Sequence, residues 1–570
     1  MRLNIIQSII FLFLGLIVSG LFYMQVIHGE YYHQQSMNNR IRVVPIDGTR
    51  GRILDCNGMV LADNHIAFHV GILPQEIVDR NALFVYLAQV LDRSPEFLER
   101  QFDRRKIAPF APVILPQVIS RELAVRIEEQ KFVYPGLIVQ QGFERYYPFN
   151  EVGAHVLGYV GKIDEDEIRD NQQYGYTPLS LVGKTGIEKR YDAALQGIPG
   201  GRQIEVDSRG TQVRLLGLKD PSVGKDVVLT IDQRVQGVAQ ELLQGYKGGI
   251  VVMDLTSGNV ISMVSSPSYD PNAFSDKTKS DILTSYFNDP LTPLLNRNVS
   301  GLYPPGSVFK IPVALAALQL HKITPSTSYD CPGYMMVGQR RFGCSHVHGV
   351  QDLRAALAHS CNVYFFHVGL LVKPRIIGAF AKAFGLGRPT GVDLPFESKG
   401  QIVTGASSER AWYTGDVLNL SIGQGYTLVT PLQLSVMMAA VANNGVILRP
   451  RVVSRVGDED IPIMEFSKRP LIRLRDETWA LVQEGLKGVV DDPEGTGHLL
   501  KDVPGLDIYG KTGTAQSVRS KPNHAWFVGY TRSSKRGIAF CVFLEYGGSS
   551  ENSVKIARDL LLKLQSLQII

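Results

Sequence analysis

The sequence predicts a multidomain α+β protein carried on a single amino-terminal membrane-spanning helix. Three observations lead there. Ile5 to Ile27 is an unbroken uncharged run, composition shifts near residue 225, and beyond that shift strand-like runs stand at both ends with long apolar-periodic helices between. Strands so far apart in sequence must meet in one sheet that the helices cover, giving an α+β domain behind an elongated first module.

The anchor comes first in the chain. "IIQSIIFLFLGLIVSGLFYMQVI" reaches ~34 Å as a helix, against ~30 Å for a bilayer core. A cleavable signal peptide would end its apolar region at a small-x-small site, whereas Leu21, Phe22 and Tyr23 continue past the small pair Ser19 and Gly20. The run reads as an uncleaved anchor over residues 5–27, with residues 1–4 as a cytoplasmic stub and Arg2 on the inner side. The rest then lies outside the membrane, on the side away from the cytoplasm.

A chain of 570 residues, 44% hydrophobic and 20% charged, is globular and long enough for two or more domains. Its net charge of +5 is spread without basic tracts, which argues against nucleic acid as a partner. Five cysteines are too few for a disulfide scaffold, although three of them, Cys331, Cys344 and Cys361, fall in one stretch.

The first module spans residues 28–224. Asn57 and Gly58 sit between short apolar runs as a hairpin turn, and "ALFVYLAQVLDRSPEFLERQFDRRK" carries helical periodicity broken at Ser94-Pro95. Gly- and Asp-rich stretches after it suggest short strands. The second module, residues 225–570, opens with two strands joined at Ser257-Gly258-Asn259 and closes with three strand-like runs and a terminal helix.

Chemistry concentrates in this second module. In "YPPGSVFK" two prolines resist helix and the apolar repeat after them favours it, so Ser307 is expected to open a helix with Lys310 on its face. A serine hydroxyl is a weak nucleophile until a base takes its proton, and a lysine serves only if burial or a second cation lowers its pKa. "SCN" at Ser360 to Asn362 and "KTGT" at Lys511 to Thr514 supply a proton path and that second cation.

Each triplet alone is weak. Decoys occur at Ser36-Met37-Asn38, Ser550-Glu551-Asn552, Lys184-Thr185-Gly186 and Ser222-Val223-Gly224-Lys225. Only Ser307, Ser360 and Lys511 run in catalytic order within one module. A phosphate loop at Gly183-Lys184-Thr185 is excluded, because Pro178 stands where its first glycine is required.

Taken together, "RGRILDCNGMVLA", "RYYPFNEVGAHVLGYVG", "GKTGIEKRYDAALQG", "YPPGSVFK", "SCNVYFF", "SIGQGYTLVTPLQL" and "GKTGTAQ" resemble a class B penicillin-binding protein over nearly the whole chain. "HAWFVGY" and the "HG" before "SCN" are closest to the cell-elongation branch, penicillin-binding protein 2.

The resemblance implies a pedestal domain of the penicillin-binding protein dimerisation type, then a serine transpeptidase domain with an antiparallel sheet flanked by helices. It implies a D,D-transpeptidase that cross-links peptidoglycan stem peptides through a serine acyl-enzyme and is acylated by β-lactams. Ser307 would be the nucleophile and Lys310 the proton acceptor, while Ser360 and Asn362 relay the proton and position the substrate. Lys511 and Thr512 with Thr514 would hold the terminal carboxylate, and Gly513 would let substrate lie against the strand. The backbone N–H groups of Ser307 and Thr514 would form the oxyanion hole.

Implied partners are stem peptides and their lipid-linked precursor, the bacterial inner membrane with the catalytic domain on its periplasmic or extracytoplasmic side, a polytopic glycosyltransferase of the elongation machinery and a periplasmic scaffold. A septal transpeptidase, a carboxypeptidase or β-lactamase-type hydrolase, and a β-lactam sensor are the alternatives.

No cofactor is required for this chemistry, but Cys331, Cys344, His348 and Cys361 have the number and softness of ligands for a closed zinc site. By the resemblance, some elongation enzymes hold zinc here with two aspartates, a histidine and a cysteine. Cysteines in place of both carboxylates leave three readings open: structural zinc with His348 or His346, a Cys331–Cys344 disulfide, or buried thiols. Packing is the expected role of Trp412 and Cys541.

Overall fold

The computed structural model describes residues 2–32, 41–46, 48–106, 112–170, 181–206, 212–275, 280–403, 412–464, 473–517 and 520–570. Ser36-Met37-Asn38 and Pro178 lie outside them. The chain divides into two compact units, one of residues 1–51, 64–144 and 196–224, the other of 52–63, 145–195 and 225–570. Two segments that the sequence reading assigns to the first module therefore pack in the second unit.

In the first unit the apolar run forms the helix Arg2–Phe22, continued by a π-helical turn at Tyr23–Ile27. It is long and apolar enough to cross a membrane, and its large side chains are exposed. Helices Arg80–Leu91 and Pro95–Arg105 are capped by Asp79 and Ser94, whose side chains accept from Ala82 N and Phe97 N. They pack Leu83, Phe84, Leu87, Leu98 and Phe102 against Val70, Ile72, Val113 and Leu115. Separately, Ile41–Ile46, Gly200–Val206 and Gln212–Lys219 form a three-stranded antiparallel sheet.

The second unit is built on a five-stranded antiparallel sheet of β1 (Gly248–Asp254), β2 (Val260–Ser266), β3 (Asp507–Ala515), β4 (His524–Arg532) and β5 (Ile538–Leu544). Its order is β2-β1-β5-β4-β3, so the two ends of the module meet at β1 and β5 and β3 is an edge strand.

Alternate residues feed two cores. Val251, Met253, Val528 and Cys541 face a cluster containing the helices Lys310–Gln319 (α1) and Pro431–Ala442 (α4), whereas Ile250, Val252, Phe527 and Phe540 face Gln233–Leu242 and Ser550–Ser566 (α6). Burial on both faces explains why these strands read as continuous apolar runs. Between α1 and α4 the chain adds Leu353–Ala358 (α2) and Asn362–Val372 (α3), and Asp476–Asp491 (α5) leads into β3.

The inserted segments are tied in by specific bonds. Ile53 pairs with Val227 in parallel, and Cys56 N–H donates to Ile231 O at 2.9 Å. Asp55 is more than the expected turn residue: it is 1% exposed and accepts N–H bonds from Asn57, Met59 and Gln233. Arg145 and Glu188 form a buried ion pair at 2.7 Å. The decoy Lys184 belongs to this unit, not to the anchor-proximal one, and its amine is taken by Glu167 and Asp164.

Candidate active site

Ser307 lies in a 3-10 turn, Gly306–Phe309, and the α-helix begins only at Lys310. The prolines before the serine delay the wider helix by one turn, a small departure from the sequence reading. Tyr303 pairs with Val429, and the Trp526 indole N–H donates to Pro304 O at 3.1 Å, so β4 holds the turn from below.

Close backbone approach fixes it from two sides. A side chain on Gly513 would sit 2.9 Å from Pro305 O and 3.0 Å from Val308, and one on Gly423, where φ is +68°, would sit 2.3 Å from Gly306 O. Gly513 thus lets the Ser307 turn seat against β3. That is a different reason from the substrate contact expected from the sequence.

The structure brings the remaining motif residues together. Lys310 Nζ is wholly buried and donates to Ser360 O at 2.7 Å, Ser360 Oγ at 3.3 Å and Asn362 Oδ1 at 2.7 Å. Among the described residues its bonds do not reach Ser307, which stands half-buried one turn earlier. Ser360 has φ +57°, a strained value for a residue with a side chain, and bends the loop so that its carbonyl and hydroxyl both face the amine.

Burial pushes the Lys310 pKa down to about 8, against the upward pull of the neighbouring cysteine sulfurs. Lys511, on β3, is also wholly buried, and burial followed by repulsion from Lys310 holds its pKa well below the ordinary value. These are the conditions under which an amine accepts a proton near neutrality.

On the edge strand Thr514 is exposed, whereas Thr512 is buried with its hydroxyl 2.6 Å from that of Thr496. Thr496 also bonds Ala358 O, joining β3 to the end of α2. Gln424 Nε2 donates to Thr514 O at 3.5 Å. Thr496, Trp526, Gly423 and Gln424 are neighbours of the motif residues that motif reading missed. Trp526, Gly423 and Gln424 lie inside stretches quoted above, but nothing in them marked a contact.

Cys331, Cys344, His348 and Cys361 place their donor atoms within 4.8 Å of one another. His348 Nδ1 lies 3.5 Å from the sulfurs of Cys331 and Cys344, while His346 contributes a carbonyl to Cys331. Of the two candidate histidines, His348 is therefore the one in the cluster, and all five cysteines are free thiols. Cys344 Sγ accepts the Asn362 N–H at 3.1 Å, and Cys361 Sγ caps α3 by accepting from Tyr364 N at 3.5 Å. The Cys361 thiol and the N–H groups of Asn362 and Val363 hold the Cys344 thiol well below its usual range, and sharing with Cys344 pushes Cys361 up. Trp412 packs against the main core and Cys541 is buried in β5.

The chain matches the penicillin-binding protein transpeptidase domain over residues 248–562 and the penicillin-binding protein dimerisation domain over 45–229. It belongs to the class B penicillin-binding proteins. A peptidoglycan D,D-transpeptidase MrdA of Haemophilus influenzae is 32% identical across 97% of this chain and 89% of the relative. Penicillin-binding protein 2 of Helicobacter pylori, solved in complex with MreC, superposes with a TM-score of 0.84 at 28% identity, covering 93% of this chain and 100% of that one. The Pseudomonas aeruginosa penicillin-binding protein 2 in complex with WCK 5153 gives 0.69 at 29% identity, covering 93% and 97%.

Proposed function

We propose that this protein is a peptidoglycan D,D-transpeptidase of cell elongation that works through a serine acyl-enzyme. The single observation that carries the reading is the buried Lys310 amine, held by Ser360 and Asn362 one turn from Ser307. Ser307 Oγ attacks the penultimate D-alanine carbonyl of a stem peptide as Lys310 takes its proton. The N–H groups of Ser307 and Thr514 receive the oxyanion, and the terminal D-alanine leaves with a proton returned through Ser360. An amine of a neighbouring stem then attacks the acyl-enzyme. Lys511 and Thr514 hold the terminal carboxylate. As an edge strand, β3 leaves alternate backbone groups free to pair with an extended peptide.

The relatives' names support the elongation role, and the apolar helix supports a single-pass anchor in the inner membrane with the catalytic unit outside it. By the same likeness the partners are a periplasmic scaffold of the MreC kind and a polytopic glycosyltransferase. Fluorescent penicillin should label the protein on a peptide containing Ser307, Ser307→Ala should abolish labelling, and the adduct should persist. Rapid release of the label would point to the hydrolase reading instead.

We further propose that Cys331, Cys344, His348 and Cys361 hold zinc. Three soft sulfurs and one imidazole converge, and backbone N–H groups point at two of the sulfurs, as thiolate ligands require. Zinc there supplies a structural cross-link, with no part in the acyl transfer. Because Cys361 sits between Ser360 and Asn362, chelation should slow acylation at temperatures where no unfolding is seen. Metal analysis finding no stoichiometric zinc would remove this reading.

A further inference from the structure

The thiol cluster also has the layout of a redox-sensitive pair. Cys344 is part-exposed, just beyond the strand Arg340–Gly343, while Cys331 and Cys361 are buried. An oxidant entering from solvent meets Cys344 first, and the Cys361 sulfur lies within 4.8 Å of the Cys344 sulfur. Cys361 lies within the loop whose neighbours on either side hold the Lys310 amine.

We propose that Cys344 and Cys361 form an oxidative modification site, at which a hydroperoxide closes a disulfide and disables the serine–lysine machinery. The Cys344 sulfur attacks one peroxide oxygen, the O–O bond breaks, and a sulfenic acid forms as water or an alcohol leaves. The Cys361 sulfur then attacks the Cys344 sulfur. The S–S bond forms, the S–O bond breaks, and the hydroxyl departs as water with the Cys361 proton. Two electrons pass from the two thiols to the peroxide.

The mechanical consequence follows from distances. The donor sulfurs lie within 4.8 Å, whereas a disulfide is ~2 Å long, so the two loops must close on each other. Closure takes Cys344 off the Asn362 N–H and Cys361 off the cap of α3. Asn362 moves with them, and its Oδ1 is one of the groups that hold Lys310. A bridged sulfur is no longer a thiolate ligand, so any metal held by the cluster is released. The inference goes beyond the zinc reading, because the bridge can form with or without metal.

The test uses the full-length protein in detergent. Hydrogen peroxide should slow its acylation by fluorescent penicillin by about tenfold to a hundredfold, the scale of a misplaced catalytic group. Dithiothreitol should restore the rate, and non-reducing digestion should yield a peptide joining Cys344 to Cys361. Cys56→Ser, which removes the exposed cysteine outside the cluster, should remain as sensitive as the parent.

Cys344→Ser and Cys361→Ser, each compared with its own untreated rate, should lose the sensitivity. The proposal is overturned by absence of the joined peptide, by a Cys331–Cys344 bridge in its place, or by serine variants that stay peroxide-sensitive. Zinc is measured before peroxide is added. A bridge forming in protein that held no zinc upholds this inference and removes the metal reading; stoichiometric zinc beforehand with no bridge afterwards does the reverse.

Discussion

A lysine amine with no exposed surface cannot be an ordinary cation, and at Lys310 burial brings the pKa to about 8. The neutral amine is the form that can take the Ser307 proton. It is the minor species below about pH 8 and the major one above, so acylation by penicillin should climb between about pH 7 and about pH 9 and then level. A flat profile of the second-order acylation rate over that range would count against Lys310 as the base.

Arg297 is as buried and has a different task. Its guanidinium pairs with Glu545 at 2.9 Å and donates to Leu291 O and Thr292 O, and Glu545 in turn accepts from the Tyr303 hydroxyl at 3.4 Å. Arg297→Met should cost about 3 kcal/mol in denaturant unfolding, the lower end for a broken buried pair. The low end applies because Lys247 still faces Glu545 at 3.1 Å.

Residues of the first kind were legible in the sequence and those of the second were not. Ser307, Lys310, Ser360, Asn362 and Lys511 are chemically distinctive and ordered. Arg297, Thr496 and Trp526 act only through where the chain folds back on them. The strained Ser360 backbone likewise has no signature in "SCN".

Among elements, the 3-10 turn that carries Ser307 is set by its neighbours more than by its own propensity. Gly423→Ala would force a methyl to 2.3 Å from Gly306 O at a backbone angle that disfavours a side chain. Acylation should fall by about a hundredfold, with the thermal transition lowered far less than that loss suggests, because the change displaces Ser307 and leaves the sheet intact. Equal penicillin reactivity in the variant would show that the turn tolerates displacement.

The sheet itself was readable: apolar runs at both ends of the module, bounded by turn signals and too short for helices, read as buried strands. What the pattern withheld was the placement of β3 at the edge, which depends on pairing order.

Across the molecule, the first unit's last segment ends at 224 and the second unit's longest begins at 225, and 52–63 and 145–195 also belong to the second unit. No local signal marks this. Their membership rests on pairings such as Ile53 with Val227 and Tyr147 N–H with Asn272 Oδ1. A fragment of residues 225–570 should therefore be insoluble or unfold well below the full-length protein. Adding 48–224 should restore cooperative unfolding and penicillin labelling, as sedimentation and labelling assays would show. A well-folded, reactive 225–570 fragment would mean the inserted segments are dispensable.

The bond from Gln233 N–H to Asp55 spans 178 residues of chain. At ribosomal speeds of about 5–20 residues per second, Asp55 waits roughly ten to thirty-five seconds for that partner to be made. The early hairpin of Ile53 with Ala62 therefore waits without its long-range strand, exposed to whatever chaperones meet emerging chains. Completion of the second unit is thus timed by the route of its own backbone.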